Sequence, residues 1–166
     1  MAGGTDLYMN FLNVDVTTDA ADASALESSE INTGLSIRGG LAMLVHKIEI
    51  FFPDELVNGV YLECALSTRK GLTTMPGLND GGCIAKARRT PILAGAAYGV
   101  LVEYPQTLDF LPPVPLAAPK ISLYAAAEAD DASYRSKKIE VRIGFTTQPM
   151  ESKMYLEIAE TWGYDL

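Results

Sequence analysis

The stretch KKIEVRIGFTT, residues 137–147, decides the fold of this chain. Its apolar residues alternate with polar ones at a period of two, which is the pattern of a β-strand with one buried and one solvated face. The apolar side carries Ile139, Val141, Ile143 and Phe145. A strand of this kind needs a second layer to cover its apolar side.

Other segments supply the partners for this strand. We predict about eight short strands in all, because apolar or alternating runs recur between Gly-rich and Pro-rich turn signals. The further strand segments are 5–16, 31–37, 41–53, 60–68, one or two short strands near 83–89 and 91–94, a run from 98 to 104, and one opening at 121. No helical crossover lies between them. This spacing favours an all-β fold, a two-sheet antiparallel sandwich.

The length of 166 residues suits one domain, which we assign to residues 1–166. Within it, residues 17–30 are small and acidic and predict an exposed loop. Residues 109–120 are rich in proline, poor in backbone donors and therefore extended, so they predict a rigid surface arm. Residues 150–163 predict a short C-terminal helix.

The helix prediction rests on spacing. Met154, Ile158 and Trp162 recur at i, i+4 and i+8 with Tyr155 beside them, and Gly163 can end the helix. This face would dock against the sandwich.

The composition leaves apolar surface to account for. Charged residues make up 20% of the chain and the mean hydropathy is +0.11, so apolar surface can remain after the core is filled. Contact with copies of the same chain, or with another protein, would cover it. A compact monomer with an Ala-rich core is the alternative.

Charge bears on the partners. A net charge of −8 works against nucleic-acid affinity, which we expect to be weak and non-specific at most, because neutralising phosphates takes Lys and Arg. The start of the chain lacks a secretory signal pattern, and no run approaches the length of a transmembrane segment. The sequence thus predicts a protein made in a reducing cytoplasm.

The sequence contains few candidates for catalytic or metal-binding residues. His46 is the only histidine and falls in the apolar register of residues 42–52, which favours a hydrogen-bonded core or interface residue. Cys64 and Cys83 stand in unrelated contexts, and a disulfide between them is left open. The acidic neighbours Asp130 and Asp131 lie in a polar turn, and Asp54 and Glu55 lie beside a proline. We therefore predict no enzyme, with no catalytic, cofactor-binding or metal-binding residues.

Carbohydrate binding is the second reading. It would need exposed aromatic platforms, for which Tyr61, Tyr124, Tyr134 and Trp162 are the candidates. Tyr61 and Tyr124 point away from the apolar registers of their strands, whereas Trp162 is better explained as the residue that docks the helix. An enzyme on the same sandwich is a third reading, and it would require two carboxylates that converge in a cleft.

The overall pattern resembles the single jelly-roll capsid proteins of small icosahedral viruses. The resemblance lies in the antiparallel strands, the long loops, the low charge, the Pro-rich arm, and VRIGFTT followed by a short helix. It implies that the two-sheet antiparallel sandwich is a jelly-roll sandwich. It also implies a structural protein that self-assembles into a shell, with copies of itself and other capsid proteins as partners, and resides in the virion. Many such proteins begin with an Arg-rich arm that neutralises the genome, and this chain begins with an acidic segment instead, so direct genome binding is in doubt.

Contacts between copies are expected at the loops, the Pro-rich arm and the terminal helix. Pre-extended proline segments lose little entropy on docking, and basic residues in a turn can meet an acidic neighbour. The residues predicted at the subunit interface are Arg88, Arg89, Pro112, Pro113, Pro115 and Trp162.

Overall fold

The computed structural model describes residues 9–35, 38, 40–53, 60–94, 97–102 and 106–163, with backbone alone for 92–94 and 97–102. These residues form nine strands, one short 3-10 turn and one helix. The strands are β1 (Asn10–Thr17), β2 (Glu27–Asn32), β3 (Leu41–Phe51), β4 (Leu62–Ser67), β5 (Cys83–Ala94), β6 (Ala97–Val102), β7 (Thr107–Leu116), β8 (Lys120–Ala127) and β9 (Lys138–Pro149). The 3-10 turn spans Ala132–Tyr134 and the helix α1 spans Ser152–Thr161.

The strands form two antiparallel sheets, which confirms the predicted two-sheet sandwich. Sheet A has the order β1-β9-β3-β7 and sheet B has the order β2-β8-β4-β5-β6. The pairs β1 with β9, β2 with β8, β3 with β7 and β4 with β5 show the chain as one long hairpin folded over on itself. That is the jelly-roll arrangement, with β6 added at one edge of sheet B.

The core lies between the inner faces of the two sheets. Ile139, Val141 and Ile143 on β9 are all buried, as the alternation in the opening stretch predicts, while Glu140 and Arg142 are exposed. Sheet B faces them with larger residues on β4 and β8 and with small ones on β5, where Ala85 and Ala87 are buried. Burial of this alternating face is the main stabilising contribution to the fold.

Strand β3 contains a bulge that the sequence pattern missed. The register shifts between Val45 and Lys47 against both neighbouring strands. Against β9, His46 is an extra residue on β3, whereas against β7 the extra residues lie on β7, where 110–113 stand opposite His46. Because side chains alternate strictly, one extra residue changes which parity faces inward. Met43 and Val45 are therefore buried before the bulge and Ile48 and Ile50 after it. The single apolar register predicted through residues 42–52 was wrong.

Several predicted boundaries also change. The structure begins β2 at Glu27, inside the predicted acidic loop of residues 17–30, because its backbone pairs with β8 despite its polar side chains. The two short strands predicted near 83–89 and 91–94 are one continuous strand, β5. Pro91 is tolerated in it because that residue lies beyond the end of β4, where its missing N–H would have no partner.

The Pro-rich segment is extended, as predicted, but it is not a free arm. Most of residues 109–120 belong to β7, an edge strand of sheet A paired with β3. Met150 N donates to Gly40 O at 2.7 Å, which fixes the alternation along the first half of β3. Val114 and Leu116 therefore bond β3 while the backbone of Pro115 faces the open edge, and Pro112 and Pro113 lie in the segment 110–113, which has no partner in the register with β3. The prolines thus sit where a backbone donor is not needed for the ladder.

Helix α1 docks on this edge. Tyr155 and Ala159 are fully buried and Ile158 and Trp162 are half-buried, whereas Met154 is 54% exposed, so the predicted docking role of Met154 was wrong. The Trp162 indole N–H donates to Pro115 O at 2.8 Å, an outward-pointing carbonyl of β7. Thr68 Oγ1 donates to Trp162 O at 2.6 Å. One residue therefore joins the helix to both β7 and the β4–β5 loop.

We predict that Trp162→Phe lowers the free energy of unfolding by about 1 kcal/mol, because the ring is retained while the bond to Pro115 O is lost. Chemical denaturation monitored by far-ultraviolet circular dichroism measures it. Met154→Leu, at an exposed position on the same helix, is the matched control and should leave stability nearly unchanged. An unchanged midpoint for Trp162→Phe would contradict this role.

Candidate functional site

The two outer faces of the sandwich differ in how they are covered. On sheet B, the loop of residues 68–82 folds back over the strands. Tyr124 Oη donates to Arg69 O at 2.8 Å and accepts from Leu72 N at 3.4 Å, and Lys86 Nζ donates to Pro76 O at 3.2 Å. All six residues of β4 are buried as a result, including those on its outer side.

A charged cluster lies under the edge of this loop. Glu63 is only 5% exposed, and its carboxylate contacts Lys86 Nζ at 2.9 Å and Arg88 Nη2 at 2.5 Å. The Arg88 guanidinium also stacks over the Tyr61 ring, 4.1 Å from its centroid. One buried carboxylate between two cations is well compensated, because each charge has an oppositely charged partner in hydrogen-bonding geometry.

We predict that Glu63→Gln destabilises the protein by about 3 kcal/mol, since it leaves two partly buried cations without their counter-charge. Urea denaturation measures the change in unfolding free energy. Glu140→Gln is the matched control, because Glu140 is also a strand glutamate with a lysine partner, Lys138, but its side chain is 58% exposed. The control should change stability by less than about 0.5 kcal/mol. Equal changes in unfolding free energy for the two variants would show that the burial of Glu63 does not strengthen its contribution to stability.

The outer face of sheet A carries exposed apolar side chains instead. Phe11 is 56% exposed and Phe51 is 47% exposed. The Arg142 guanidinium lies between them, 5.7 Å from the Phe11 ring centroid and 5.9 Å from that of Phe51. Gly144 leaves room for Met9 and Phe11 to lie across it, since a Cβ on Gly144 would come within 2.7 Å of Met9 Sδ. We call Met9, Phe11, Phe51 and Arg142 the sheet A patch.

A shallow cleft of about 180 Å³ adjoins this patch. It is lined by Asn13, Asp15, Phe51, Glu140 and Arg142 among others. Lys138 bridges its two carboxylates, with Nζ 2.7 Å from Glu140 and 3.7 Å from Asp15, and Glu140 raises the pKa of that lysine. The two acids are thus held by a cation at the surface. Their chemistry is that of a salt-bridged surface and not of an acid and base pair.

The loop over sheet B encloses a second, more open cavity of about 450 Å³. Arg69, Thr74, Met75, Asn79 and Asp80 are among its lining residues. Arg69 Nη1 lies 3.3 Å from Asp80 Oδ1, and the same carboxylate oxygen accepts from Gly82 N at 3.0 Å. These contacts fix the loop's own NDGG turn. The polar groups at this end of the loop are therefore largely engaged in its internal structure.

The cysteines are structural. Cys64 and Cys83 are both free and buried, so the disulfide left open by the sequence does not form. Burial raises the pKa of both thiols above the ordinary value. A thiol attacks as its thiolate, so both side chains are held in the unreactive form.

We predict that neither thiol reacts readily with Ellman's reagent in the native protein at mildly alkaline pH, and that both react at once in concentrated guanidinium chloride. The physical reason is that modification requires a local opening that exposes each buried thiol to solvent. Cys64→Ala and Cys83→Ala assign the two signals separately. Rapid stoichiometric labelling of the folded protein would contradict the described burial.

The predicted interface residues do not form one surface. Arg88 and Arg89 lie on opposite faces of β5, because the period of two separates sequence neighbours. Arg88 faces outward to Glu63, whereas Arg89 is half-buried, in the inward register of Ala87 and opposite the core residue Leu62. Pro113 is half-buried, and Pro112 and Pro115 are exposed on the β7 edge.

The predicted aromatic platforms are largely used inside the chain. Tyr124 is 1% exposed, so the expectation that it is displayed was wrong, because the β4–β5 loop covers the outer face of sheet B. Tyr134 is fully buried and its hydroxyl donates to Val60 O at 2.8 Å. Tyr61 lies under Arg88. The exposed aromatic residues on sheet A, Phe11 and Phe51, were not among the candidates.

The remaining candidates have ordinary roles. His46 is half-buried and its Nε2 lies 2.9 Å from Thr146 Oγ1, which agrees with a hydrogen-bonded residue. Asp130 pairs with Arg135, and that contact lowers the carboxyl pKa. Asp54 and Glu55 lie outside the described residues.

Two further observations concern the described residues alone. Their histidine, cysteine, aspartate and glutamate side chains do not gather in any group of three that could hold a metal ion. Among the helices in these ranges, none has the length and apolar character to cross a membrane.

No protein-family model matches the sequence, and no curated protein matches it either.

Proposed function

We propose that this chain is a structural protein whose copies self-assemble into a viral capsid shell. The observation that carries the proposal is the strand order of the two sheets, in which first pairs with last, second with second-last and so on inward. Two-sheet jelly rolls of this kind serve as capsid proteins, lectins and cupins. A metal-binding cupin clusters histidines, and this sequence has one.

Leftover apolar surface supports assembly over a solitary particle. Eight large apolar side chains are exposed on the described surface, and Leu111 at the β7 edge is 98% exposed. Three of them belong to the sheet A patch and two to the outer side of helix α1. Clusters of this kind, rimmed by polar residues, are typical of surfaces that partners cover.

The mechanism follows from the stiffness of the two sheets. The sandwich serves as a rigid wedge, while the sheet A patch, the β7 edge with Pro112, Pro113 and Pro115, and helix α1 with Trp162 contact neighbouring copies. Such surfaces are ordered before association, so docking loses little conformational entropy. Arg142 can move from its own phenylalanines to an acidic neighbour, since the chain carries a net charge of −8.

The same net charge argues against direct contact with the genome. Phosphate contacts are supplied by Lys and Arg, and the described basic residues Lys86, Arg88 and Lys138 are already paired with carboxylates. In a virion, another protein or a membrane would then separate this shell from the nucleic acid. Binding to nucleic acid, where it occurs, is expected to be weak and strongly dependent on salt.

The test is assembly of the purified protein. We predict that light scattering and negative-stain microscopy show closed particles or large oligomers, and that Phe11→Ser combined with Phe51→Ser sharply reduces them, because the substitutions remove the apolar part of the sheet A patch. Both residues are exposed, so the folded domain should persist by circular dichroism. Gln148→Ser, an exposed change on β9 of the same sheet, is the matched control and should assemble normally.

A stable monomer at high protein concentration, across salt and pH, would sink the assembly proposal. If the double serine variant assembles as well as the wild-type protein, the shell proposal stands, but the sheet A patch is not one of the contacts between copies.

A lectin-like ligand-binding module is the second candidate, favoured by one observation. The cleft beside the sheet A patch combines an exposed aromatic ring, Phe51, with the polar groups of Asn13 and Asp15, which is the chemistry of a sugar subsite. A glycan array with Phe51→Ala and Asn13→Ala tests it. Specific binding that both variants abolish, without any large oligomer, would favour the lectin over the shell.

A further inference from the structure

The two sheets of the sandwich have four open edges among the described residues: β1, β7, β2 and β6. An open edge presents unpaired backbone N–H and C=O groups and is a template for pairing with another chain. Proteins protect such edges with charges, prolines, short strands or covering elements. The four edges of this protein differ in which of these protections they carry.

Three edges are protected. On β7 the open position between Val114 and Leu116 is occupied by Pro115, which lacks a donor, and the Trp162 indole donates to the carbonyl of Pro115. Strand β2 is short, and its Glu30 is exposed and paired with Lys120. Strand β1 carries an exposed Asp15 at the open edge, beside the sheet A patch.

Strand β6 has the same length as β2, six residues, but differs from the other three edge strands in its residue types. Its sequence AYGVLV contains neither a charge nor a proline. Within the described residues it pairs with β5 on one side and ends sheet B on the other. It is the only one of the four edge strands that lacks both of these protective residue types.

The positions whose backbone faces this open edge follow from the ladder. Glu128 N donates to Tyr61 O at 2.9 Å, so odd residues of β4 bond β8 and even ones bond β5. Because the backbone groups of successive residues face opposite sides of a strand, Leu62 on β4 bonds Arg89 on β5. By the same alternation, Thr90 on β5 bonds Leu101 on β6. The remaining β6 residues, Tyr98, Val100 and Val102, direct their N–H and C=O groups to the open edge.

Pro91 agrees with this assignment independently. It is the partner of Val100 in the register between β5 and β6. A proline cannot donate, so this pair must occupy a position of the ladder without hydrogen bonds between the two strands. Val100 therefore has its donor and acceptor on the side away from β5.

We propose that β6 is a pairing edge that joins two copies of this chain antiparallel about a twofold axis, extending sheet B across both copies. The three outward residues are evenly spaced, so a register with Val100 on the axis pairs Tyr98 of each copy with Val102 of the other. Each of the three facing pairs exchanges two backbone bonds, which gives about six in total. An isologous contact of this kind satisfies every outward group on both strands.

A second copy fits this edge better than a charged partner does. The strand carries no charge for an ionic partner to complement, and an antiparallel twofold pairing needs nothing but the strand's own backbone spacing. The pairing would supply one contact of the proposed shell, yet it requires only two copies and does not depend on shell closure.

Val100→Pro tests the pairing, because it removes a donor from the axis while leaving the bonds to β5 intact. Sedimentation across a concentration series should show that the variant raises the dimer dissociation constant about tenfold or more, since two central bonds and the close approach of the strands are lost. Ser28→Pro is the matched control. Its backbone faces the open edge of β2 by the same alternation, so that proline should leave association unchanged.

Hydrogen exchange on the wild-type protein tests the same pairing without a substitution, and it decides the question if Val100→Pro does not fold. The amides of Tyr98, Val100 and Val102 should become protected as concentration rises, whereas those of Ser28, Glu30 and Asn32 should keep exchanging quickly. Fast exchange of the β6 amides at every concentration would overturn the pairing.

The outcomes separate this inference from the capsid proposal. Protected β6 amides in a dimer that never forms larger particles would uphold the pairing and defeat the shell. Shells that form equally well from Val100→Pro, with exposed β6 amides, would uphold the shell and overturn the pairing.

Discussion

The pairing of β9 with both β1 and β3 is the constraint on which the rest of the structure depends. This last strand enters the sheet between two strands from the first third of the chain, so sheet A cannot be completed until nearly all of the sequence is present. Its buried face closes the core over sheet B. Contacts between such distant parts of the chain are costly in loop-closure entropy, and burial of the alternating apolar face must offset that cost.

The outer faces of sheet A and sheet B differ in how much of each is covered by a loop. The loop of residues 68–82 covers sheet B and shields Glu63, its two cations and Tyr124 from water. In the part of the chain that the structure describes, no loop covers the sheet A patch, where two phenylalanines and an arginine are exposed. Among the described residues, one outer face is therefore covered by the chain's own loop, while the other leaves apolar side chains exposed to solvent.

The edge strands of the two sheets also differ, in whether they carry residues that disfavour pairing with another strand. Proline residues and the Trp162 indole protect β7, and acidic side chains protect β1 and β2. The edge at β6 has neither kind of residue, so backbone pairing is directed to one place. Charged residues and prolines on the other edges disfavour strand pairing there, which would add specificity to the proposed pairing at β6.

The sequence alone determined the class of the fold, because alternation at a period of two and the absence of helical crossovers leave little besides an antiparallel sandwich. It also determined the helix and the extended character of the Pro-rich segment. It did not determine the bulge at His46, since an inserted residue is visible only when the neighbouring strands define the register.

Side-chain exposure was decided by the tertiary structure. Tyr124 points outward from its strand as the alternation requires, yet it is buried because a distant loop folds over it. Arg88 and Arg89 are neighbours in the chain but face opposite sides of β5. Local pattern specifies which side of a strand a residue occupies, whereas burial and contact depend on what the rest of the chain places on that side.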